Sequence, residues 1–214
     1  MWEVKQIEAK QTHKYILEKH YAQRLPSISF AYGLFQSNEL KGILTIGKPA
    51  SPPLCAGIMG SKYKHVVYEL NRLVVVECLP KNSLSYFVAE VLRMLSNTEL
   101  LLVSFADDGV GHNGYIYQAT NWIYTGKTKE RTDKYMPGNK HPRHYNEIYS
   151  HIRKCRTAKH RYIYIPNKRK RKEYMEALKY DVKPYPKGDN KYYVLGERAK
   201  TKCINTTTGD VFYE

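Results

Sequence analysis

The pattern that most constrains this chain lies between residues 68 and 128. YELNRLVVVE is a run rich in β-branched residues, CLPKNSLS is a loop carrying a helix N-cap candidate, and SYFVAEVLRMLSN places Phe87, Val88, Val91, Leu92 and Leu95 at helical spacing. ELLLVSFAD is a second apolar strand, YIYQATN a short helix and WIYTGKT a closing strand. The order strand–loop–helix–strand–helix–strand predicts an α/β (α+β) fold built on a right-handed crossover. Such a unit binds ligands at the C-terminal edge of its strands.

The flanks fit that core. Residues 5–20 read as a short strand and then a helix ending near His20. SFAYGLFQSNELKGILTIGKP reads as a hairpin, two apolar runs joined at SNELKG. Pro49, Pro52 and Pro53 predict an irregular loop before residue 60. Composition changes after about residue 130: from Arg153 to Lys172 there are ten Lys or Arg and no acid. The expected division is a core over 1–130 and a basic, Tyr-rich extension over 131–214.

The 214 residues carry a formal net charge of +15 and a sequence pI near 9.5. That excess points to a polyanionic partner, because each cation set on a phosphate releases condensed counterions. Twenty tyrosines interleave with the cations, as suits bases and sugars. The cysteines Cys55, Cys78, Cys155 and Cys203 are scattered, with no CxxC pair, so neither a zinc site nor a disulfide framework is expected. MWEVKQIEAK lacks the apolar stretch of a signal peptide, and no run approaches the 18 apolar residues of a membrane span. A cytoplasmic protein with no membrane partner is the expectation.

Several residues are candidates for chemistry by type and position. Asp107 ends an apolar strand, where a carboxylate serves as a base or a metal ligand; its neighbour Asp108 reads as a capping residue. His20 and Tyr21 end a helix and precede Arg24, which places imidazole, phenol and guanidinium within one turn. Tyr117, on the short helix, is a candidate phenolic acid, and His112 a weaker candidate in the turn GHNG. For DNA the candidates are Arg24, Lys48 in IGKP, Arg153, Lys154 and the cluster Lys168, Arg169, Lys170, Arg171 and Lys172, with Tyr162 and Tyr164 among them.

The central pattern resembles the GNAT superfamily of N-acyltransferases over roughly residues 1–130. That likeness implies a mixed central sheet flanked by helices, with an acyl-CoA (acetyl-CoA) donor whose pyrophosphate meets a helix N-terminus. The loop here is PKNSLS rather than the glycine-rich form, so Asn82 and Ser83 offer side-chain donors instead. A narrower likeness covers nearly the same span. HYAQRLP, IGKPASP, ELNRL, PKNSLS, SFAD and GYIYQATNWIYTG, in that order, resemble the Mom family of phage DNA-modification proteins.

This second resemblance implies conversion of adenine N6 in duplex DNA to a carbamoylmethyl (acetamido) derivative, which protects phage DNA from host restriction. It implies a phage- or prophage-encoded enzyme in a bacterial host, and it places Arg72 and Ser85 at donor-binding positions. The product bonds N6 to a methylene, which attack on an acetyl thioester does not give. Another acyl or aminoacyl donor, such as a glycyl group whose adduct rearranges, or a metal-assisted step is then required. Iron, ligated by His20, Tyr21 and Asp107, is one option. The alternatives are a GNAT acyltransferase acting on tRNA or protein amines, and a non-catalytic DNA-binding module on a degenerate scaffold. Oligomeric state is open, a dimer included.

Overall fold

A computed structural model of the chain describes residues 2–77, 79–139, 145–188 and 194–214. A seven-stranded mixed sheet carries the fold. Its strands are β1 (Trp2–Gln6), β2 (Phe30–Gln36), β3 (Glu39–Gly47), β4 (Val67–Val75), β5 (Leu101–Asp107), β6 (Ile123–Lys127) and β9 (Lys159–Tyr164), in the spatial order β1-β2-β3-β4-β5-β9-β6. A second sheet of four strands, in the order β11-β10-β8-β7, comprises β7 (Arg131–Lys134), β8 (Ile152–Arg156), β10 (Lys202–Asn205) and β11 (Val211–Tyr213). The helices are α1 (Ala9–Lys14), α2 (Pro52–Tyr63), α3 (Ser83–Met94), α4 (Tyr115–Ala119) and α5 (Arg171–Ala177).

The expected hairpin is β2–β3, and its turn is tighter than SNELKG. Ser37 and Asn38 alone make it, both at positive φ (49° and 64°), the geometry of a type I′ turn. On one face of the sheet Phe87, Val88 and Val91 of α3 pack with Leu44, Leu70, Leu102, Trp122 and Tyr162. Full burial of a side chain such as Phe87 contributes up to about 3 kcal/mol. On the other face Ile58 and Met59 of α2 and Tyr174 of α5 cover Val67, Val103 and Ile163.

Two expectations need correction. The proline-rich stretch is not a loop: Pro52 and Pro53 occupy the first turn of α2, where a missing N–H costs nothing and a fixed φ is pre-organised. The break falls later, at Gly60 (φ 68°). Nor does the core end at residue 130, because β9 lies between β5 and β6 and pairs antiparallel with both. Its cations hid it from a reading by apolar period. Arg161 is buried, donating to Thr125 Oγ1 and Thr125 O (2.9 Å each) with its guanidinium 3.3 Å from the Tyr180 ring centroid.

Two features of β4 shape the site. It pairs parallel with β5 only from Val67–Leu101 to Glu69–Val103; beyond that point both strands continue and part. A bulge also interrupts its pairing with β3, between Thr45 and Ile46. Leu70 and Leu73 thus both pack with the α3 face, whereas Arg72 is brought round to the opposite face, beside Glu69.

Candidate active site

The parted ends of β4 and β5 bring together residues from five elements. Glu69 and Arg72 come from β4, Asp107 from β5, Lys159 from β9, His112 from the loop after β5, and His20 and Tyr21 from the end of the first helix. That helix continues past α1 as a π-type turn over Tyr15–Lys19, closed by the His20 N–H on Tyr15 O at 3.0 Å. The irregular segment Gly196–Ala199 fixes the turn from outside. Gly196 N–H donates to Lys19 O (3.1 Å), Ala199 N–H to Tyr21 O (3.2 Å), and Gln23 Nε2 to Gly196 O (2.8 Å). Nearby, a Cβ on Gly47 would lie 1.9 Å from Ser27 O, so only glycine lets the chain entering β2 pass this closely.

His20 is buried and its ring is stacked on Tyr21, with centroids 4.4 Å apart. Tyr21 in turn meets His112 edge-on at 5.7 Å. His20 Nδ1 accepts the Ala22 N–H at 3.0 Å. Burial, reinforced by the charges of Arg72, His112 and Lys159, pulls the imidazole down to about 3. His20 is therefore neutral at pH 7 with its proton on Nε2. It is a hydrogen-bond donor rather than a base.

Asp107 accepts from Gly109 N–H (3.0 Å), from Thr157 Oγ1 and from Lys159 Nζ (2.7 Å). Burial alone would raise its carboxyl; the Lys159 ammonium and these hydrogen bonds outweigh burial and hold it below the usual carboxylate range. The expectation of Asp107 as proton acceptor is weakened accordingly, for a carboxylate so well satisfied is a poor base. Glu69 is the opposite case. Burial pushes its carboxyl up against the pull of Arg72 and Lys159, and among the described residues no side chain donates a hydrogen bond to it. Sequence reading missed it. The signal was a glutamate inside the apolar run YELNRLVVV, next to Leu70, which joins the core.

Arg72 is on this side of the sheet and away from the donor loop. Its Nη2 and Nε donate to Arg24 O (2.8 and 3.3 Å) and its Nη1 to Asn71 O. Tyr117 lies across the sheet, at the floor of the gap, with Oη 2.7 Å from Ser104 Oγ. Ser104 gives its single proton to Leu70 O (2.8 Å), so the phenol donates to the serine. Burial raises this phenol to about 12, and it stays protonated. Tyr162 supports α4 from below: Gly114, at φ 83°, begins the helix, and a Cβ there would lie 2.3 Å from Tyr162 Cε2.

On the Tyr117 side a cleft of about 430 Å³ runs between α3 and α4. It is lined by Asn82, Ser85, Tyr86 and Ala89 of α3 and its cap, by Thr120 and Asn121 after α4, and by Tyr164. Asn82, at φ 68°, is the N-cap of α3. Ser85 Oγ donates to Asn82 O (3.0 Å) at the surface, and Ser83, buried, donates to Pro80 O (2.7 Å). Ser83 thus closes its own loop, and Asn82 and Ser85 are the expected donor residues that face the cleft.

The DNA candidates divide. Lys154 is buried against Glu214 (3.7 Å), and Lys48 Nζ caps the carbonyls of His65 and Val67 while lying 3.6 Å from the Tyr68 ring centroid. Tyr162 is fully buried and Tyr164 faces the cleft, which removes both from an outer DNA surface. Lys170 pairs with Glu99 and Glu173. Arg24 is exposed, and Arg153, Lys168, Arg169, Arg171 and Lys172 form no ion pair among the described residues. No group of three or more His, Cys, Asp or Glu among those residues is placed to hold a metal ion, so the iron set of His20, Tyr21 and Asp107 gains no support. Cys55, Cys155 and Cys203 are free thiols, Cys78 lies outside the described residues, and no described helix is long and apolar enough to cross a membrane.

Comparison with known proteins gives a family and a set of weaker likenesses. The family described as the Mom protein family matches residues 1–187. Methylcarbamoylase mom of Escherichia phage Mu is 30% identical over 194 residues, covering 80% of this chain and 78% of that protein. An N-acetyltransferase structure from Staphylococcus aureus Mu50 covers 78% of this chain and 99% of its own at 11% identity and a TM-score of 0.48. Arabidopsis thaliana NAA60, solved with acetyl-CoA, covers 77% of this chain and 98% of its own at 12% identity and a TM-score of 0.47.

Proposed function

The chain belongs to the Mom protein family, and from that premise we propose that it modifies the exocyclic N6 of adenine in duplex DNA to a carbamoylmethyl derivative. One observation carries the reading: β4 and β5 part beyond Glu69, with a cleft on the α3–α4 face and the Glu69–Arg72–His20–Asp107 cluster on the other. A donor lying in the cleft presents its reacting carbon in the gap, and an acceptor amine reaches it from the opposite side.

Donor recognition falls to the N-terminus of α3, where first-turn amides and the helix dipole favour a pyrophosphate and Asn82 and Ser85 border the cleft. An acyl-CoA or aminoacyl thioester suits that site. On the acceptor side Glu69 takes the N6 proton, since its raised carboxyl is a better base at neutral pH than the tightly bonded Asp107. Arg72 and the neutral His20 supply N–H donors for developing negative charge, while Tyr117, its one proton given to Ser104 Oγ, forms the floor of the gap without donating to the leaving sulfur.

A glycyl donor gives the family's product with atoms in balance. N6 attacks the glycyl carbonyl, the C–S bond breaks, and the thiolate leaves while Glu69 holds the N6 proton. The glycyl amine then attacks adenine C6, closing a five-membered ring, and the C6–N6 bond opens. The glycyl nitrogen is now on C6, the methylene beside it, and the original N6 has become the amide nitrogen. No oxidant is needed, because N6-glycyladenine and N6-carbamoylmethyladenine are isomers.

Since N6 is engaged in base pairing, the adenine is extruded from the stack to react. Phosphate contacts come from cations without an acid partner. Arg171 and Lys172 stand in the first turn of α5, where positive charge opposes the helix dipole, so the helix itself gives no reason for them. The test is mass spectrometry of nucleosides from DNA and tRNA of cells expressing the protein, with adenine labelled at N6 by nitrogen-15. Carbamoyl-labelled carbamoylmethyl-deoxyadenosine is expected; modified tRNA or protein with unmodified DNA would overturn the reading.

A further inference from the structure

The four-stranded sheet has two faces of opposite electrostatic character. Residues directly opposite one another across a ladder share a face. One face sets Arg131 against Arg156 and Asp133 against Lys154, with Cys203 beyond. Its charges are matched: Asp133 pairs with Arg131 and Arg156 (3.4 and 2.7 Å), and Lys154 lies 3.7 Å from Glu214.

The other face sets Lys134 and Ile204 on either side of Arg153, Thr132 against Cys155, and Lys202 against Tyr213. The four strands place no acid on it, and Lys134, Arg153 and Lys202 form no ion pair among the described residues. Like charges directly opposite one another destabilise a ladder, so the Lys134–Arg153 pairing works against the sheet and folding gives no reason for it. The matched face shows the alternative, with Asp133 joining Arg131 to Arg156.

What the unmatched face offers is a set of donors. Thr132 holds Arg153 over the sheet, accepting Nε on its Oγ1 (3.3 Å) and Nη2 on its carbonyl (3.4 Å). That uses two of five guanidinium N–H groups and leaves the threonine its own proton. Lys134 Nζ rests 4.1 Å from the Tyr145 ring centroid, a neighbour that leaves its charge intact. Lys202 is exposed, and Tyr213 opposite it is 64% exposed.

Resting on the function proposed above, we infer that this face is a docking surface for duplex DNA, held through the sugar–phosphate backbone. Phosphate oxygens only accept, and cations with hydroxyls beside them are the groups that meet them. The face is close to the chemistry. Thr157, which donates to Asp107, follows Arg153 by four residues, about 13 Å at about 3.3 Å per residue. The KRKRK cluster is tied instead to Glu99, before β5 begins, so the two cationic surfaces are separate. The Mom-family match ends at residue 187, so Lys202 and Tyr213 belong to chain that it does not cover.

The test is a salt titration of duplex binding by the full-length protein and its Lys134→Glu and Lys202→Gln variants. Unlabelled duplex, tRNA and phosphatidylglycerol–phosphatidylcholine vesicles serve as competitors. Lys134→Glu sets a carboxylate opposite Arg153, so its unfolding midpoint should be no lower than that of the wild type. Its log–log salt slope should nevertheless be shallower by about 2, one phosphate contact being lost and a second neutralised; Lys202→Gln should lose about 1. Both should weaken all duplex sequences equally, because backbone contacts do not read bases. Unchanged slopes in both folded variants overturn the surface, and modified adenine from the wild type would then leave the proposed function standing. Stronger competition by tRNA or vesicles than by duplex, lost in the variants, also overturns it. Shallower slopes with no modified adenine from the wild type support the surface and count against the function.

Discussion

Lys159 Nζ lies 2.7 Å from Asp107 Oδ2, joining the end of β5 to a lysine from the basic segment that the sequence assigns to DNA. The pair fixes Asp107 as an anchor. It also places a positive charge near Glu69, where it counters the effect of burial on that carboxyl. Lys159→Gln should raise the Glu69 carboxyl further. The acid limb of the pH–rate profile should then move to higher pH, because the base is protonated over more of the range. A profile with an unmoved acid limb would detach Lys159 from the base.

His20 makes stability depend on pH in a defined window. Its folded value, about 3, lies below the unfolded value near 6.5, so the unfolded chain binds a proton that the native ring refuses. Stability therefore falls as pH drops through that interval, by up to about 1.4 kcal/mol per pH unit for one such group. His112 and His160 are depressed in the same direction and add to the slope. His20→Gln should flatten the loss in denaturant melts at pH 4, 5 and 6. An equal slope in the variant would show that the ring titrates normally.

Gly114→Ala tests the seat of α4. The substitution demands φ 83° of an alanine and drives Cβ to 2.3 Å from the Tyr162 ring. A loss of about 1–3 kcal/mol in thermal or chemical unfolding is expected from backbone strain alone. A melt within experimental scatter of wild type would mean that the helix is not set by this contact.

The salt dependence of DNA binding should reflect the free cations and not the formal charge. In KRKRK, Lys170 is held by Glu99 and Glu173, leaving Lys168, Arg169, Arg171 and Lys172. Alanine at all five positions should make the log–log salt slope shallower by about 4 at most, at roughly 0.9 per phosphate. It should do so equally for different duplex sequences, because phosphate contacts do not read bases. The cluster pairs with Glu99, two residues before β5 begins, and Asp107 at the far end of that strand is roughly 26 Å away at about 3.3 Å per residue. Its loss should accordingly weaken binding without moving the preferred adenine. An unchanged slope would make the cluster a solvated face.

Much of this was legible beforehand, and the gaps have physical causes. Continuous apolar and β-branched runs and helical spacing located β2 to β5 and α3, because strands covered on both faces read as unbroken apolar runs and α3 buries one stripe. Pro52 and Pro53 misled because a proline pair begins a helix as readily as it breaks one; the apolar residues Leu54, Cys55, Ile58 and Met59 after them were the better guide. β9 was hidden because Lys159, His160 and Arg161 find partners only across the sheet, in Asp107, Tyr124 and Thr125. At the site, His20, Tyr21, Asp107 and Tyr117 do gather around one gap. Arg72 was expected beside Ser85 and joined the opposite face, since no local pattern announces a bulge. Glu69 passed unnoticed for the same reason: a carboxylate buried there, with Arg72 and Lys159 near but no described side chain donating a hydrogen bond to it, is a property of the gap, not of the strand.

Everything in the mechanism turns on which carboxylate takes the adenine proton. The deciding measurement is the yield of modified deoxyadenosine, by mass spectrometry of DNA digests, from cells expressing wild type, Glu69→Gln and Asp107→Asn at equal soluble levels. Removal of a general base lowers rate by about 10²–10⁴. Glu69→Gln should therefore give no detectable product, and Asp107→Asn a reduced but measurable one. Wild-type yield from Glu69→Gln, with the product lost in Asp107→Asn, would contradict the assignment and return the role to Asp107.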